Sequence, residues 1–145
     1  MDCITTRHDL HSHYGTPSSP AGVKLTPHLI PIYRAFIERI RVFVLSTVGP
    51  EGTDGSPRVD KDPVVRVLDD RTLALPDWKG NERIDSLRNI LRDERVSLMF
   101  LIPGSTTALR INGRARLTAD LTPCPSYIRD NKPPPTSPQT PVGAV

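Results

Sequence analysis

The apolar and polar positions along the chain follow two periods, and each period predicts a kind of element. Apolar residues at helical spacing predict one helix after Thr26-Pro27 and a second helix over 82–92. Runs rich in apolar and β-branched residues predict five strands, over 40–48, 64–68, 72–75, 96–102 and 107–118. Turn-forming residues over 49–55 and 69–71 separate strands, and the second of these turns closes a hairpin. Strands joined by hairpins around short helices predict a mainly β protein with an antiparallel, barrel-like sheet.

The last of these strands, over 107–118, alternates strictly between two faces. One face carries apolar or small residues, and the other carries Arg110, Asn112, Arg114 and Arg116. Three guanidinium groups on one strand face repel one another unless water or anions lie between them. A solvent-facing surface and an anion-binding surface both fit this pattern. Gly113, in the middle of the strand, suggests a bulge or the close approach of a ligand or partner.

Both ends of the chain lack this periodicity. Residues 1–25 predict a flexible N-terminal arm, and residues 26–120 predict one domain. From residue 121 to 145 the chain holds 7 of its 16 prolines, including Pro133-Pro134-Pro135. Such a run cannot form a central strand or a helix, so this segment predicts a disordered or polyproline-like tail.

Charge and composition narrow the classes of function. The net charge is +3, but from Arg58 to Arg116 the 12 basic residues are interleaved with 9 acidic ones. This distribution predicts one or two anionic groups as ligand rather than a nucleic acid. No apolar run approaches the roughly 20 residues of a membrane span, and the first residues lack the apolar core of a secretory signal. We therefore expect a cytoplasmic protein without membrane contact.

The residues that usually carry catalysis or bind metals are poorly placed. Cys3 and Cys124 lie near opposite ends of the chain, and we expect both to be free thiols. All four histidines lie in the first 28 residues, and the pair His11 and His13 has no third ligand nearby in sequence. We therefore predict no metal site and assign no catalytic acid or base. An enzyme built on this core would have to take its chemistry from a cofactor.

Two segments could instead hold a phosphate. Around Gly80, a turn leads into the second predicted helix, with Asn81 as a favoured N-cap and Lys79 and Arg83 beside it. A helix start that gathers cations favours an anion, although an ordinary capped surface helix explains the same residues. In Ser56-Pro57-Arg58, after the glycine-rich turn, the guanidinium could grip a phosphate with two hydrogen bonds. A solvated loop arginine is the competing interpretation.

Five motifs, in order, carry a resemblance to a known family. They are Ser56-Pro57-Arg58, Leu75-Pro76-Asp77, and the segments 80–89 (GNERIDSLRN), 100–104 (FLIPG) and 109–115 (LRINGRA). In this combination they resemble the pyridoxamine 5′-phosphate oxidase-like family of FMN-binding split barrels, and especially a small uncharacterised bacterial branch of it. The resemblance covers roughly residues 11–120.

The resemblance implies an antiparallel split β-barrel that forms a homodimer and holds FMN at the dimer interface. The FMN phosphate would contact Arg58 and the residues around the helix start, Lys79, Asn81 and Arg83. The isoalloxazine ring would lie against Val65, Val67, Leu75, Pro76 and Asp77. Contacts from the facing strand or the second subunit would come from Arg110 and Asn112.

Two departures from the family pattern affect this expectation. The family shows Arg-Gly-Asp-x-x-Gly-Phe where this chain has Arg-Val-Asp-Lys-Asp-Pro over 58–63. Val59 cannot replace the glycine if that position needs a positive φ. The family also continues with further strands and a helix, whereas this chain enters its proline-rich tail at Leu121. We therefore expect a barrel that is incomplete at its C-terminus, with unpaired strand edges.

The function that the resemblance implies is that of an FMN-binding flavoprotein, an oxidoreductase whose small-molecule substrate is not identified. FMN would perform the redox chemistry, and the protein would bind and orient it. The alternative is a non-catalytic protein that binds a phosphate ligand or a partner, a truncated family member without activity.

Overall fold

The computed structural model describes residues 3–15, 26–78, 84–102, 104 and 106–119 with their side chains, and the backbone of 137–144. Its helices are α1 (Arg7–Tyr14), α2 (Pro31–Ile37) and α3 (Asp85–Arg92). Its strands are β1 (Val42–Gly49), β2 (Gly52–Val59), β3 (Arg66–Val67), β4 (Thr72–Ala74), β5 (Arg95–Leu101), β6 (Ala108–Arg114), β7 (Arg116–Thr118) and β8 (Ser137–Ala144).

The strands form an antiparallel sheet in the order β2-β1-β5-β6-β8-β4-β3, and β7 also pairs with β8. The strand β8 thus connects the long strands β1, β2, β5 and β6 to the short strands β3, β4 and β7. The prediction of a mainly β protein with short helices and an antiparallel sheet is confirmed.

Alternation along the long strands puts one face of the sheet into the core. In β1, β5 and β6 the buried residues occupy alternate positions, as a sheet covered on one face requires. The rings of Phe43 on β1 and Phe100 on β5 lie at opposed register positions with their centroids 5.4 Å apart. An aromatic pair at this distance adds to the burial of both rings, and it joins these two strands at the centre of the core.

The glycine-rich segment after β1 is a strand rather than a turn. The prediction of a turn over 49–55 is wrong for its larger part, because β2 begins at Gly52 and pairs with β1 along its whole length. A loop of only two residues, Pro50-Glu51, joins the strands, and Gly52 adopts a φ of 137°. Pro57 is tolerated here since β2 is an edge strand.

The helix α2 and the hairpin β3–β4 close one side of the core. Pro31 occupies the first turn of α2, where its missing N–H is not needed. Ile37 and Leu29 are buried, and the Leu29 amide donates to the carbonyl of Asp70 in the β3–β4 turn at 2.7 Å. The predicted hairpin around 69–71 is therefore confirmed, although its strands are shorter than predicted.

The helix α3 begins later than the sequence suggested. Its N-cap residue is Ile84, which makes no side-chain capping hydrogen bond, so the prediction that Asn81 caps this helix is wrong. Asp85 supplies the acidic residue in the first turn. Asn89 fixes α3 to the sheet, because its Nδ2 donates to the Thr47 Oγ1 on β1 at 3.0 Å and both side chains are buried.

Both ends of the chain contain more regular structure than their sequences indicate. In the segment predicted to be a flexible arm, α1 is capped by Thr6, whose Oγ1 accepts from the Asp9 amide, although α1 buries no residue. In the segment predicted to be a disordered or polyproline-like tail, residues 137–144 form β8 and pair with β4, β6 and β7. The expected absence of a closing strand is not confirmed.

Gly52→Ala should lower the free energy of unfolding by about 1–3 kcal/mol, because an alanine is strained at a positive φ. An added Cβ would meet nothing within 4 Å there, so the loss of stability would come from backbone strain alone. Urea denaturation measures it. The matched control is Gly55→Ala on the same strand, whose Cβ would make an ordinary contact with Val44 at 3.8 Å. Equal effects at the two sites would contradict the argument.

Thr47→Val should lower the free energy of unfolding by about 1–3 kcal/mol, because it leaves the buried Asn89 amide without its acceptor. The control is Ser46→Ala, which removes a hydroxyl at the next position on the other face of β1 and should change stability by less than about 0.5 kcal/mol. A Thr47→Val protein as stable as the parent would show that the hydrogen bond to Asn89 does not fix α3.

The pKa of Asp93, between α3 and β5, is lowered from 3.8 to about 2, chiefly by hydrogen bonds from the side chain and then the amide of Arg95. The stabilisation from this carboxylate is therefore complete above the unfolded pKa and is lost as pH falls through about 2. Arg95→Ala should move the pKa of Asp93 back toward 3.8, as an NMR titration of its carboxyl carbon would show. Arg92→Ala is the control and should leave that pKa unchanged.

Candidate functional site

A cavity of about 220 Å³ lies between β2 and the segment that follows β4. We call it the Arg58 cavity. Its walls are mostly apolar, with three charged groups among them. The lining residues are Phe43, Leu45, Pro57, Arg58, Val59, Asp60, Val64, Leu75, Pro76, Asp77 and Trp78.

The pairing of β2 with β1 places Arg58 at this cavity. Arg58 lies opposite Phe43 in the register, and Phe43 is a core residue. Along β2 the half-buried positions are Asp54, Ser56 and Arg58, which alternate with exposed ones. Arg58 therefore projects from the covered side of an edge strand, where it is sheltered from solvent without being fully buried.

An ion pair between Arg58 and Asp77 crosses one side of the cavity. Arg58 Nη1 donates to Asp77 Oδ1 at 2.7 Å, and the two side chains are only 29% and 15% exposed. Arg58 Nε is buried and has no acceptor among the residues that the structure describes. A buried donor without an acceptor is unfavourable, and it commonly marks a place where a ligand, ion or water binds.

The charges of the cavity lining do not balance. The lining residues supply the carboxylates of Asp60 and Asp77 but only one cation, Arg58. The remaining walls are aromatic, aliphatic or proline surfaces, which suit a flat, weakly polar ring system. The described part of the site thus combines one available donor with an apolar wall and a net negative charge.

Four residues predicted to bind the cofactor line this cavity: Arg58, Leu75, Pro76 and Asp77. Three more, Lys79, Asn81 and Arg83, lie outside the described residues. Their assignments stay predictions.

The other four predicted residues do not line the cavity. Val65 belongs to the core with 1% exposure, and Val67 on β3 is half-buried against the core. Arg110 and Asn112 are exposed on the outer face of β6, opposite Met99 and Ser97 of β5. Within one copy of the chain, the structure therefore does not bring these residues together with Arg58.

Two of the arginines on the outer face of β6 and β7 form ion pairs with a carboxylate of the same chain. The predicted alternation is confirmed, with Leu109, Ile111 and Ala115 buried on the inner face. On the outer face, Glu94 pairs with Arg114 at 3.7 Å and with Arg116 at 3.4 Å. The carboxylate of Glu94 thus reduces the repulsion between these guanidinium groups, which the sequence analysis expected water or anions to reduce.

Sequence reasoning missed several residues of the cavity. Trp78 lines the cavity. It follows Asp77 directly and is the only tryptophan of the chain, so the sequence could have indicated it as a site residue. Phe43 and Leu45 were expected only as strand residues, and their place beside Arg58 depends on the β1–β2 register. Val59 was expected to be unfavourable if this position, which is glycine in the family, needs a positive φ. It lies instead at the end of β2 in extended backbone, where valine is favoured.

A second, larger cavity of about 510 Å³ lies between α2 and the end of β5. Its lining is mainly apolar, with Phe36, Leu101 and Ile102 beside Arg39 and Arg41, and it contains none of the predicted site residues. Within the described parts of the chain, no helix is long and apolar enough to cross a membrane. No cluster of three or more possible metal ligands occurs among those same residues.

Known structures provide three comparisons of fold. A protein of Lactobacillus delbrueckii, provisionally named a pyridoxamine 5′-phosphate oxidase, is 19% identical with a TM-score of 0.62, and the match covers 83% of this chain and 95% of that one. HupZ of Group A Streptococcus is 17% identical with a TM-score of 0.60, covering 79% and 90%. An FMN-binding protein of Syntrophomonas wolfei is 17% identical with a TM-score of 0.50, covering 77% and 81%.

At these identities the similarity establishes the fold, an antiparallel split barrel, and leaves the activity open. No curated protein matches the sequence significantly. A family model described as pyridoxamine 5′-phosphate oxidase matches residues 29–129, a span that runs from just before α2 to beyond β7. This match covers well over half of the sequence, and the chain therefore belongs to the pyridoxamine 5′-phosphate oxidase family.

Proposed function

We propose that the protein is an FMN-binding flavoprotein and an oxidoreductase, with the phosphate of FMN bound at Arg58. The observation that carries this proposal is the buried Nε of Arg58, which lies at the edge of an apolar cavity and has no acceptor among the described residues. A phosphate oxygen is the kind of acceptor that a guanidinium binds best. Family membership favours flavin as the molecule that brings it.

The remaining lining fits the other parts of FMN. Leu75, Pro76 and Trp78 offer apolar and aromatic surface against which a planar ring can pack. When bound, FMN would supply the electron-transfer chemistry, and the role of these residues would be to orient the ring and exclude water from one side. We assign no acid or base to the protein.

The size of the cavity supports a homodimer as the binding form. Pockets for ligands of this class usually hold about 300–1,000 Å³, whereas the Arg58 cavity holds about 220 Å³. One copy thus offers only part of a binding site, and we propose that a second copy completes the site. Arg110 and Asn112, exposed on the outer face of β6, are the residues that a partner copy could contribute. Lys79, Asn81 and Arg83, which follow Trp78 in sequence, are proposed to complete the phosphate contacts.

Arg58→Ala should weaken FMN binding about ten- to a hundredfold, the loss expected for hydrogen bonds to a charged group. It should change riboflavin binding far less, because riboflavin lacks the phosphate. Flavin fluorescence titration gives both dissociation constants, and light scattering of the same samples gives the mass of the complex. The control is Arg92→Ala, which removes an exposed cation from α3 and should change neither constant by more than about twofold.

A protein that binds no flavin in these titrations would overturn the proposed cofactor. If that protein still bound inorganic phosphate at Arg58, the result would support a phosphate-ligand-binding protein without redox activity. Flavin binding by a monomer, with no dimer by light scattering, would overturn the proposed homodimer while leaving the cofactor in place.

A further inference from the structure

We propose that Asp77 acts as a resident counter-ion that competes with the phosphate of the ligand for Arg58 and so sets the affinity of the site for anions. The identity of the ligand as FMN rests on the proposed function, but the competition itself rests on the geometry of the ion pair. Asp77 was expected to contact the flavin ring. The structure shows it in an ion pair with Arg58.

The pairing occupies one of the two edges of the guanidinium that a phosphate could bind with two hydrogen bonds. A guanidinium offers one edge formed by its two terminal nitrogens and another formed by Nε and one terminal nitrogen. Nη1 belongs to the first edge and is bonded to Asp77 Oδ1 at 2.7 Å. Nε and Nη2 form the second edge, and Nε has no acceptor among the described residues. A phosphate that binds Nη1 and Nη2 must therefore displace Asp77, and one that binds Nε and Nη2 lies close to the Asp77 carboxylate and is repelled by it.

The charge of Asp77 acts in the same direction. Its carboxylate lies beside Arg58 and repels a phosphate dianion that approaches the guanidinium. The Asp77 side chain is 15% exposed, and its field is screened by water and salt less than that of a surface carboxylate. Neutralising Asp77 would weaken its hydrogen bond to Nη1 and remove the nearest repulsion.

In the ligand-free protein, the ion pair with Asp77 stabilises the Arg58 guanidinium. A half-buried guanidinium without any partner is unfavourable, and Asp77 satisfies part of its hydrogen-bonding capacity and its charge. When a phosphate arrives, it must displace this carboxylate or bind close to it. The site therefore binds a doubly charged phosphate more weakly than the same arginine would without Asp77.

Asp77→Asn is the decisive variant because asparagine keeps the shape and the Oδ1 acceptor while it removes the charge. We expect it to strengthen FMN binding about tenfold, and to change riboflavin binding by less than about twofold. Asp60→Asn is the matched control. It removes the same charge from the same cavity lining without removing a partner of Arg58, and it should strengthen FMN binding clearly less. Circular dichroism establishes that each variant is folded.

A second measurement does not depend on flavin. In protein labelled with ¹⁵N-arginine, the Nε–H resonance of Arg58 is followed while inorganic phosphate is added. The resonance should shift in the parent, and it should reach saturation at about tenfold lower phosphate in Asp77→Asn.

The outcomes separate the two proposals. If flavin binds and Asp77→Asn binds FMN no more tightly than the parent, the competition is wrong and the cofactor proposal stands. If no flavin binds but Asp77→Asn strengthens phosphate binding at Arg58, the competition stands and the cofactor proposal is wrong. An equal gain in Asp60→Asn, or an Arg58 resonance that ignores phosphate in both proteins, overturns the role of Asp77.

Discussion

The pairing of β1 with β2 on one side and β5 on the other is the constraint on which the rest of the structure depends. Since side chains alternate along a strand, the register that buries Phe43 and Leu45 also decides which residues of β2 face inward. A slip of one residue would turn Arg58 outward and leave Asp77 without its partner. The core and the candidate site are therefore specified by the same set of backbone hydrogen bonds.

Sequence patterns predicted the elements with a strong period well. The alternation over 107–118 placed the apolar face of β6 correctly, because one buried face makes period two visible in the sequence itself. The helix α2 was predicted from its apolar spacing, and its start at Pro31 follows from what proline permits in a first turn.

The errors share a physical cause, which is that pairing and packing against other elements outweighed local preference. Gly52 and Gly55 favour turns locally, but β1 supplies a pairing partner, so the segment extends into β2. Asn81 is a better N-cap type than Ile84, but the helix begins where Ser86, Asn89 and Ile90 can be buried against the sheet. The ion pair between Arg58 and Asp77 spans 19 residues, a distance over which no sequence period operates.

The position of Pro57 on β2 also bears on the behaviour of the molecule at high concentration. An edge strand exposes backbone donors and acceptors that can pair with another chain, and such pairing leads to aggregation. Pro57 has no N–H to offer, and its partner in the β1 register is Val44. A chain that added itself to this edge would lose a hydrogen bond at Pro57. The same residue that precedes Arg58 at the cavity thus protects the open edge of the sheet from uncontrolled growth.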